Sequence, residues 1–460
     1  MSQVTAKVGQ TLKIQIKRLG INGEGIGYYR RTIIFVPGAL PKEEVQVKVT
    51  KTESRYLEGE LVKILQASPE RVSPPCPFYD RCGGCQLQHL DYQAQLRFKR
   101  DLLRQSLAKF KPKGWEKYSL RPTIGMADPW HYRNKAQFQL RYNERLQKAE
   151  AGLYERNSHQ LVAIDDCLVQ MPATQTTLNV LVQLLTKYQT PIYDEKKHSG
   201  IVKTLVVRVG QATGELQVTF VTSTPKLPQK NALIREITER LPKVVSIMQN
   251  IQKKQTSLVM GDETVHLWGK ETIHEQVNEL QFDLSARAFY QLNPKQTAVL
   301  YQEAAKALDL KGNERLVDAY CGVGTIGLSL APLVKEVRGM DVIPEAIADA
   351  QQNARNMNYD NAHYTVGTAE EVLPRWLKEG FRPDAILVDP PRTGLDKQLK
   401  SALMQYPVEK LVYISCNVST LARDLAELAQ VYQVDYLQSV DMFPQTARCE
   451  VVVKLQKRQK

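Results

Sequence analysis

The sequence predicts a multidomain fold in three parts: a small closed β module, an α+β middle and a doubly wound α/β unit built on a parallel sheet. Three observations carry this reading. The chain has 460 residues, too many for one ordinary core. Residues 1–66 alternate apolar and polar side chains in short runs punctuated by Gly and Pro. From about residue 285 strand patterns alternate with helix patterns, the rhythm of βαβ units.

In the first part, TLKIQIKRL sets Leu12, Ile14 and Ile16 against Lys13, Gln15 and Lys17. EEVQVKVTK repeats the pattern with Val45, Val47 and Val49, after the turn GINGEGIGY and the run TIIFVPGALPKE. Such short strands imply an OB-like barrel. Lys13, Lys17, Arg18, Arg30, Arg31, Lys48, Lys51 and Arg55 make it basic. A basic barrel of this kind more often binds RNA or DNA than merely solvates its lysines. The whole chain agrees, with a formal net charge of +13 and a pI near 9.2. That excess suggests a polyanionic partner, although an enzyme that simply is basic would show it too. Hydrophobic residues are 43% and charged residues 24% of the chain, as in soluble globular proteins. No apolar run approaches the ~18 residues of a membrane span, and the N-terminus lacks the apolar core of a signal peptide. The expectation is a cytoplasmic protein with no membrane association and no obligate protein partner.

The second part, residues 67–284, opens on SPERVSPPCPFYDRCGGCQLQHL. Its Pro, Gly and Cys content reads as a linker that becomes a ligand loop. Cys76, Cys82 and Cys85 lie within ten residues, and Cys167 in AIDDCLVQ could complete four ligands. Seven cysteines, an odd number without a secretion signal, argue for metal-binding or catalytic roles over disulfides. Zinc favours paired short knuckles. Three clustered cysteines plus a distant fourth are closer to an iron–sulfur site, with zinc the weaker alternative. YQAQLRFKRDLLRQSLAKF has the spacing of an amphipathic helix, one that can pack on the third part. Residues 130–284 mix strands (LRYNERL, TLVVRVG, ELQVTFVTS) with helices (TLNVLVQLLTKY, KNALIREITERL).

The third part, residues 285–460, alternates strands RLVDAY, VRGMDV, AHYTVG, DAILVD and LVYISC with helices, and ends in strands YQVDYLQSV and RCEVVVKL. Between the first strand and its helix stands Gly322-x-Gly324-x-x-Gly327. This spacing lets backbone approach a ligand and aims a helix N-terminus at it. Asp341, about 20 residues on, would hold ribose hydroxyls of a nucleoside cofactor. A dinucleotide is the first candidate, but Asp389-Pro390-Pro391 ends a later strand and would line the same crevice. An acidic residue after the second strand together with an Asp-Pro-Pro loop after the fourth recurs in S-adenosylmethionine-dependent methyltransferases. An ordinary turn would explain Asp-Pro-Pro alone, but not the combination.

Cys416 follows the fifth strand, so its thiol opens on the same sheet edge as Asp389. Ser419 or Thr420 suits the N-cap of the next helix. A helix N-terminus and Arg423 one turn along would lower the thiol pKa; a buried inert cysteine is the bland alternative. A thiolate beside a methyl donor suits carbon-5 methylation of a pyrimidine, because addition at carbon 6 makes carbon 5 nucleophilic. A base must then take the carbon-5 proton, and Glu450 at the start of the last strand is the candidate. A strand-edge carboxylate with no role is the competing reading.

DAYCGVGTIGL, ILVDPPRTGL, VYISCNVSTLARDL and DMFPQTARCEVVVKL, with ARAFYQLNPKQ and WHYRNKAQF, resemble the motifs of bacterial 23S ribosomal RNA uracil-5-methyltransferases. The N-terminal barrel resembles a TRAM domain, and the third part the Rossmann-like class I methyltransferase fold. The resemblance spans essentially the whole chain. It implies Cys416 as nucleophile, Glu450 as base, and Gln291, Tyr320, Asp341 and Asp389 as holders of S-adenosylmethionine. It also implies Cys76, Cys82, Cys85 and Cys167 as [4Fe-4S] ligands and 23S ribosomal RNA as partner. Asp341 stands where many relatives carry glutamate, and Arg448 and Cys449 replace a histidine-containing approach to the catalytic glutamate. The alternatives are methylation of another RNA base or of a tRNA uridine, or a non-catalytic RNA-binding factor. A target base would have to leave its stack to reach the thiol.

Overall fold

The computed structural model describes residues 6–256, 258–277 and 280–459, so the first five residues of the expected barrel lie outside it. Strands β1 (Thr11–Leu19), β2 (Gly25–Tyr29), β3 (Thr32–Val36), β4 (Glu44–Thr52) and β5 (Tyr56–Gln66) close into a barrel in the order β1-β2-β3-β5-β4. The alternation in the sequence is the reason: Leu12, Ile14, Ile16, Val45, Val47 and Val49 all point into its core. Arg71, in the segment that leaves the barrel, clamps the fully buried Glu43 carboxylate with two hydrogen bonds of 2.6 and 2.8 Å.

Helix α1 (Tyr92–Phe110) starts at Asp91, whose side chain accepts the Ala94 amide at 3.2 Å. Its apolar face (Phe98, Leu102, Leu103, Leu107) joins the core that holds Leu421 and Leu425, so it packs on the third part of the chain. Strand β6 (Ser119–Leu120) also joins that part, as the edge of its sheet. The middle body is a seven-stranded sheet. It uses β7 (Lys135–Asn143), β8 (Lys148–Tyr154), β9 (Leu161–Ala163), β10 (Val202–Val209), β11 (Leu216–Thr222), β12 (Val244–Ile251) and β13 (Glu263–Gly269) in the order β13-β12-β11-β10-β7-β8-β9. Helices α2 (Pro172–Lys187) and α3 (Lys230–Arg240) cover the face carrying Phe138, Val207 and Phe220. LRYNERL is not one strand. The chain turns after Asn143, whose side-chain oxygen accepts the amides of Arg145 and Leu146 at 3.1 Å each, an Asx turn that competes with the ladder.

A hairpin of β14 (Ile273–Val277) and β15 (Leu280–Leu284) and helix α4 (Pro294–Leu308) lead into the last sheet. Its strands are β16 (Arg315–Ala319), β17 (Glu336–Asp341), β18 (Ala362–Val366), β19 (Ala385–Val388), β20 (Lys410–Ser415), β21 (Tyr432–Val440) and β22 (Glu450–Lys457). Helices α5 (Thr325–Leu330), α6 (Pro344–Asn356), α7 (Ala369–Lys378), α8 (Lys397–Gln405) and α9 (Val418–Leu428) flank them. The order is β18-β17-β16-β19-β20-β22-β21-β6, parallel from β18 to β20 and antiparallel at β22. This is the Rossmann-like class I arrangement, with apolar cores on both faces. Strand order reverses between β16 and β19, so the ligand crevice lies outside the carboxyl ends of the strands there.

Candidate active site and cysteine cavity

The crevice is built from the ends of β16, β17, β19 and β20. After β16 the chain takes left-handed φ values at Tyr320 (+68°), Gly322 (+55°) and Gly324 (+79°) before α5 begins. Gly327 is required for a different reason: a Cβ there would lie 2.8 Å from the Asp318 carboxylate. At the end of β17, Asp341 Oδ2 accepts the Gly322 amide at 3.1 Å and Oδ1 accepts the Ile343 amide at 3.0 Å. The acid and the glycine loop therefore form one unit. Gln291 lies just before α4, buried, its carbonyl accepting from Asn134 Nδ2 at 3.4 Å. Tyr320 packs partly buried against the apolar core.

Asp389 ends β19, its amide bonded to Ala319 O at 3.3 Å across the switch point. Burial pushes its carboxyl up to about 7. Asn417 Nδ2 and Thr420 Oγ1 both donate to Arg392 O, at 2.9 and 3.2 Å, and fasten the Pro-Pro-Arg loop to α9. Cys416 follows β20 directly. Ser415 pairs with Val451 in the antiparallel β20–β22 ladder, so Cys416 and Glu450 are the next residues past that pair. Glu450 is 5% exposed, and burial, then the Asp389 charge, raises its carboxyl well above the carboxylate range, with Arg392 opposing.

Two expectations for the thiol are corrected. The N-cap of α9 is Asn417, which accepts the Ser419 amide at 3.1 Å, and neither Ser419 nor Thr420. The thiol pKa is raised, to about 12, and not lowered: burial leads, the Glu450 and Asp389 charges add to it, and Arg392 and a backbone hydrogen bond at Cys416 oppose them. Arg423 is spent elsewhere, donating to Asp424 Oδ1 at 2.9 Å and to Thr393 O at 2.7 Å.

Cys76, Cys82, Cys85 and Cys167 line one small cavity with Phe78 and Ile164. Gly83 and Gly84 let the loop fold back: the Gly84 amide reaches Cys82 Sγ at 3.3 Å and Gly83 donates to Tyr154 O at 3.0 Å. Burial pushes the Cys85 thiol up to about 12 and raises those of Cys82 and Cys167. Among the described residues, no three His, Cys, Asp or Glu side chains converge as ligands of a single metal ion. Four soft thiols around an apolar cavity are a donor set that fits an iron–sulfur cluster.

Residues 91–458 match the model of the tRNA (uracil-5-)-methyltransferase family, and residues 5–62 match that of the TRAM domain. The chain belongs to the uracil-5-methyltransferase family. An uncharacterized RNA methyltransferase of Enterococcus faecalis is 64% identical over 100% of both chains. One of Lactiplantibacillus plantarum is 58% identical over 99% of this chain and 94% of its own. Among solved structures, the Pyrococcus abyssi tRNA (uracil-54, C5)-methyltransferase in complex with S-adenosyl-L-homocysteine superposes with a TM-score of 0.76 at 27% identity, covering 96% of this chain and 100% of that one. The protein is thus an S-adenosylmethionine-dependent RNA methyltransferase of the uracil carbon-5 family with an N-terminal TRAM barrel.

Two residues of this methyltransferase escape sequence reasoning. Asp318, 1% exposed, accepts the Gly327 amide at 2.8 Å and so fixes the start of α5; burial, with Asp389 and Asp341, pushes its carboxyl up to about 7. Its signal was its place near the end of β16, four residues before Gly322. Arg208, on β10 of the middle body, donates to Ala288 O at 2.7 Å and Ser285 O at 3.2 Å. It holds the loop that carries Gln291, and nothing local in the sequence marks it. Beside Gln291, Phe289 is 57% exposed. Among the described residues no helix is long and apolar enough to cross a membrane.

Proposed function

We propose that the enzyme methylates carbon 5 of a uridine in 23S ribosomal RNA through a covalent adduct of Cys416 to uracil carbon 6. The observation that carries this is the meeting of Cys416 and Glu450 at the end of the β20–β22 ladder, beside Asp389. S-adenosylmethionine supplies the methyl group and a sulfonium positive charge. Gln291, Tyr320, Asp341 and Asp389 hold it, Asp341 at the ribose as the acid at the end of the second strand does in this fold. The Cys416 thiolate bonds to carbon 6 and makes carbon 5 nucleophilic. After the methyl group is on carbon 5, Glu450 takes the carbon-5 proton and the carbon–sulfur bond breaks, returning the thiolate. Cys76, Cys82, Cys85 and Cys167 would hold a [4Fe-4S] cluster, with their soft thiolates as its ligands. The basic barrel grips the RNA backbone, and the target base leaves its stack to reach the thiol.

The match to a tRNA (uracil-5-)-methyltransferase model favours a tRNA uridine as second reading. Mapping 5-methyluridine in ribosomal RNA and tRNA of a deletion strain decides: loss from 23S ribosomal RNA is expected, and loss from tRNA alone refutes the substrate. For the chemistry, Cys416→Ala abolishes transfer while S-adenosylmethionine still binds. Glu450→Gln accumulates a protein–RNA adduct on a denaturing gel. Turnover by Cys416→Ala would sink the mechanism.

A further inference from the structure

The segment that leads into Glu450, residues 441–449, is held mostly by parts of the chain that precede the catalytic domain, beside Asn293 and Gln296, which donate to Met442 O and Asp441 O at 3.0 Å each. Gln445 is its pivot, 3% exposed and left-handed at φ +69°. Its carbonyl accepts two amides from the cysteine loop, Gln86 at 3.0 Å and Leu87 at 2.9 Å, immediately after Cys85. Its own amide donates to Gln95 Oε1 at 3.1 Å, and its Oε1 accepts from Gln95 Nε2 at 2.9 Å. Gln95 Nε2 also reaches Leu90 O at 2.9 Å and Leu87 O at 3.1 Å, so one amide ties the cysteine loop and the catalytic loop together. The Ala447 amide donates to Gln86 Oε1 at 3.5 Å. The barrel arrives at the same seam: a Cβ at Gly23 would lie 3.0 Å from Leu87, 3.3 Å from Gln86 and 3.4 Å from Ala447.

We propose that Gln86, Gln95 and Gln445 are positioning residues that set Glu450 from the cysteine loop, so that the order of that loop is read out in the proton-abstraction step. The inference rests on Glu450 as the base. Gln445 stands five residues before Glu450, and the chain between them has one route: Gln445 is pinned at one end and β22 at the other. A shift at the seam therefore moves Glu450 and leaves the glycine loop and Asp341, at the far side of the sheet, in place. Cys416 is anchored on β20 and is unaffected. Loosening the seam slows adduct breakdown and spares adduct formation. Such a split separates positioning from a general loss of stability, which would slow both.

The test uses the full-length protein, S-adenosylmethionine and transcribed 23S ribosomal RNA, with the adduct counted on denaturing gels and S-adenosylmethionine affinity measured by calorimetry. Gln95→Ala removes the side-chain bridge. Gln86→Ala, at a half-buried site, is the milder variant should the first fail to fold. Glu450→Gln is the control for the base itself. The expected result is adduct breakdown slowed by about tenfold or more, the scale of a small misplacement of a catalytic group. Adduct formation and cofactor affinity stay within about twofold of the parent, because their anchors are untouched. If Glu450→Gln traps the adduct and neither glutamine variant does, the positioning role is wrong. If Glu450→Gln traps none, the base assignment has failed, and the inference falls with it.

Discussion

Lys99 and Asp441 form an ion pair in which both side chains are 0% exposed, beneath the loop that leads to Glu450. Lys99 Nζ also donates to Phe443 O at 3.0 Å. Asp441 additionally accepts Tyr92 OH at 2.9 Å, and its carbonyl accepts Gln296 Nε2 at 3.0 Å. Lys99→Met keeps most of the volume and deletes the cation. It leaves the carboxylate buried with one remaining side-chain donor, and breaking a buried pair in this way costs about 3–5 kcal/mol. For a body of this size each kcal/mol moves the thermal midpoint by about 2–4 °C, so the loss is about 6–20 °C. Replacing both partners removes the uncompensated charge, and such double replacements are often near neutral. Lys99→Met/Asp441→Leu is therefore more stable than Lys99→Met alone, with a coupling above about 1 kcal/mol in the double-mutant cycle. Scanning fluorimetry and denaturant titration of the four proteins measure it. A Lys99→Met loss below about 1 kcal/mol, or a double variant whose loss is the sum of the singles, would refute the reasoning.

Three further outcomes follow from the geometry. Gly339→Ala places a Cβ 2.4 Å from the Tyr364 ring and 3.0 Å from Cys321 Sγ, an overpacking of about 1–3 kcal/mol. Tyr364 also abuts Gly324 and Gly327, so calorimetry should show weakened S-adenosylmethionine binding; unchanged affinity contradicts this. With the Cys416 thiol pushed up to about 12, its thiolate fraction rises with pH throughout the neutral and mildly alkaline range. Its alkylation by iodoacetamide, followed by peptide mass spectrometry, climbs about tenfold per pH unit, and a plateau by about pH 9 would show a lowered pKa instead. Backbone-driven RNA binding weakens steeply with salt. Arg31→Ala/Arg55→Ala on the barrel should flatten the log–log slope by about 1.4 if both touch single-stranded RNA, and an unchanged slope removes them from the interface.

What was legible in the sequence was local. The glycine loop, Asp341, Asp389 and Cys416 each sit at the end of a recognisable strand, and the topology of a doubly wound sheet puts all those ends on one edge. The adjacency of Cys416 and Glu450 was not legible, because it needs β22 inserted antiparallel between β20 and β21. The sign of the thiol shift failed because burial, the leading cause, and the carboxylates that add to it both depend on the fold, the acids coming from two other strands, while the nearby Arg423 turns to the fully buried Asp424. The support of the loop that leads to Glu450 by Tyr92, Gln95 and Lys99 spans about 350 residues of sequence, a separation at which no periodicity or spacing speaks.

The crevice holds three acids that share one field. Glu450 and Asp389 both raise Cys416, Asp389 raises Glu450, and Arg392 opposes on each count. Groups so coupled do not ionise together. In the proposed reaction they need not. A thiolate is required first, and a negative charge on sulfur disfavours a second one on the neighbouring Glu450. Once sulfur is bonded to carbon 6 the charge passes into the ring as an enolate, and methyl transfer from the sulfonium donor to carbon 5 neutralises it; Glu450 then gives up its proton to solvent, and the cost of its carboxylate falls at the step that needs one. When the proton is taken and the carbon–sulfur bond breaks, the charge returns to sulfur as Glu450 becomes neutral. Burial, more than repulsion, makes both groups poor acids, and placing one charge at a time between them orders their action in the proposed reaction.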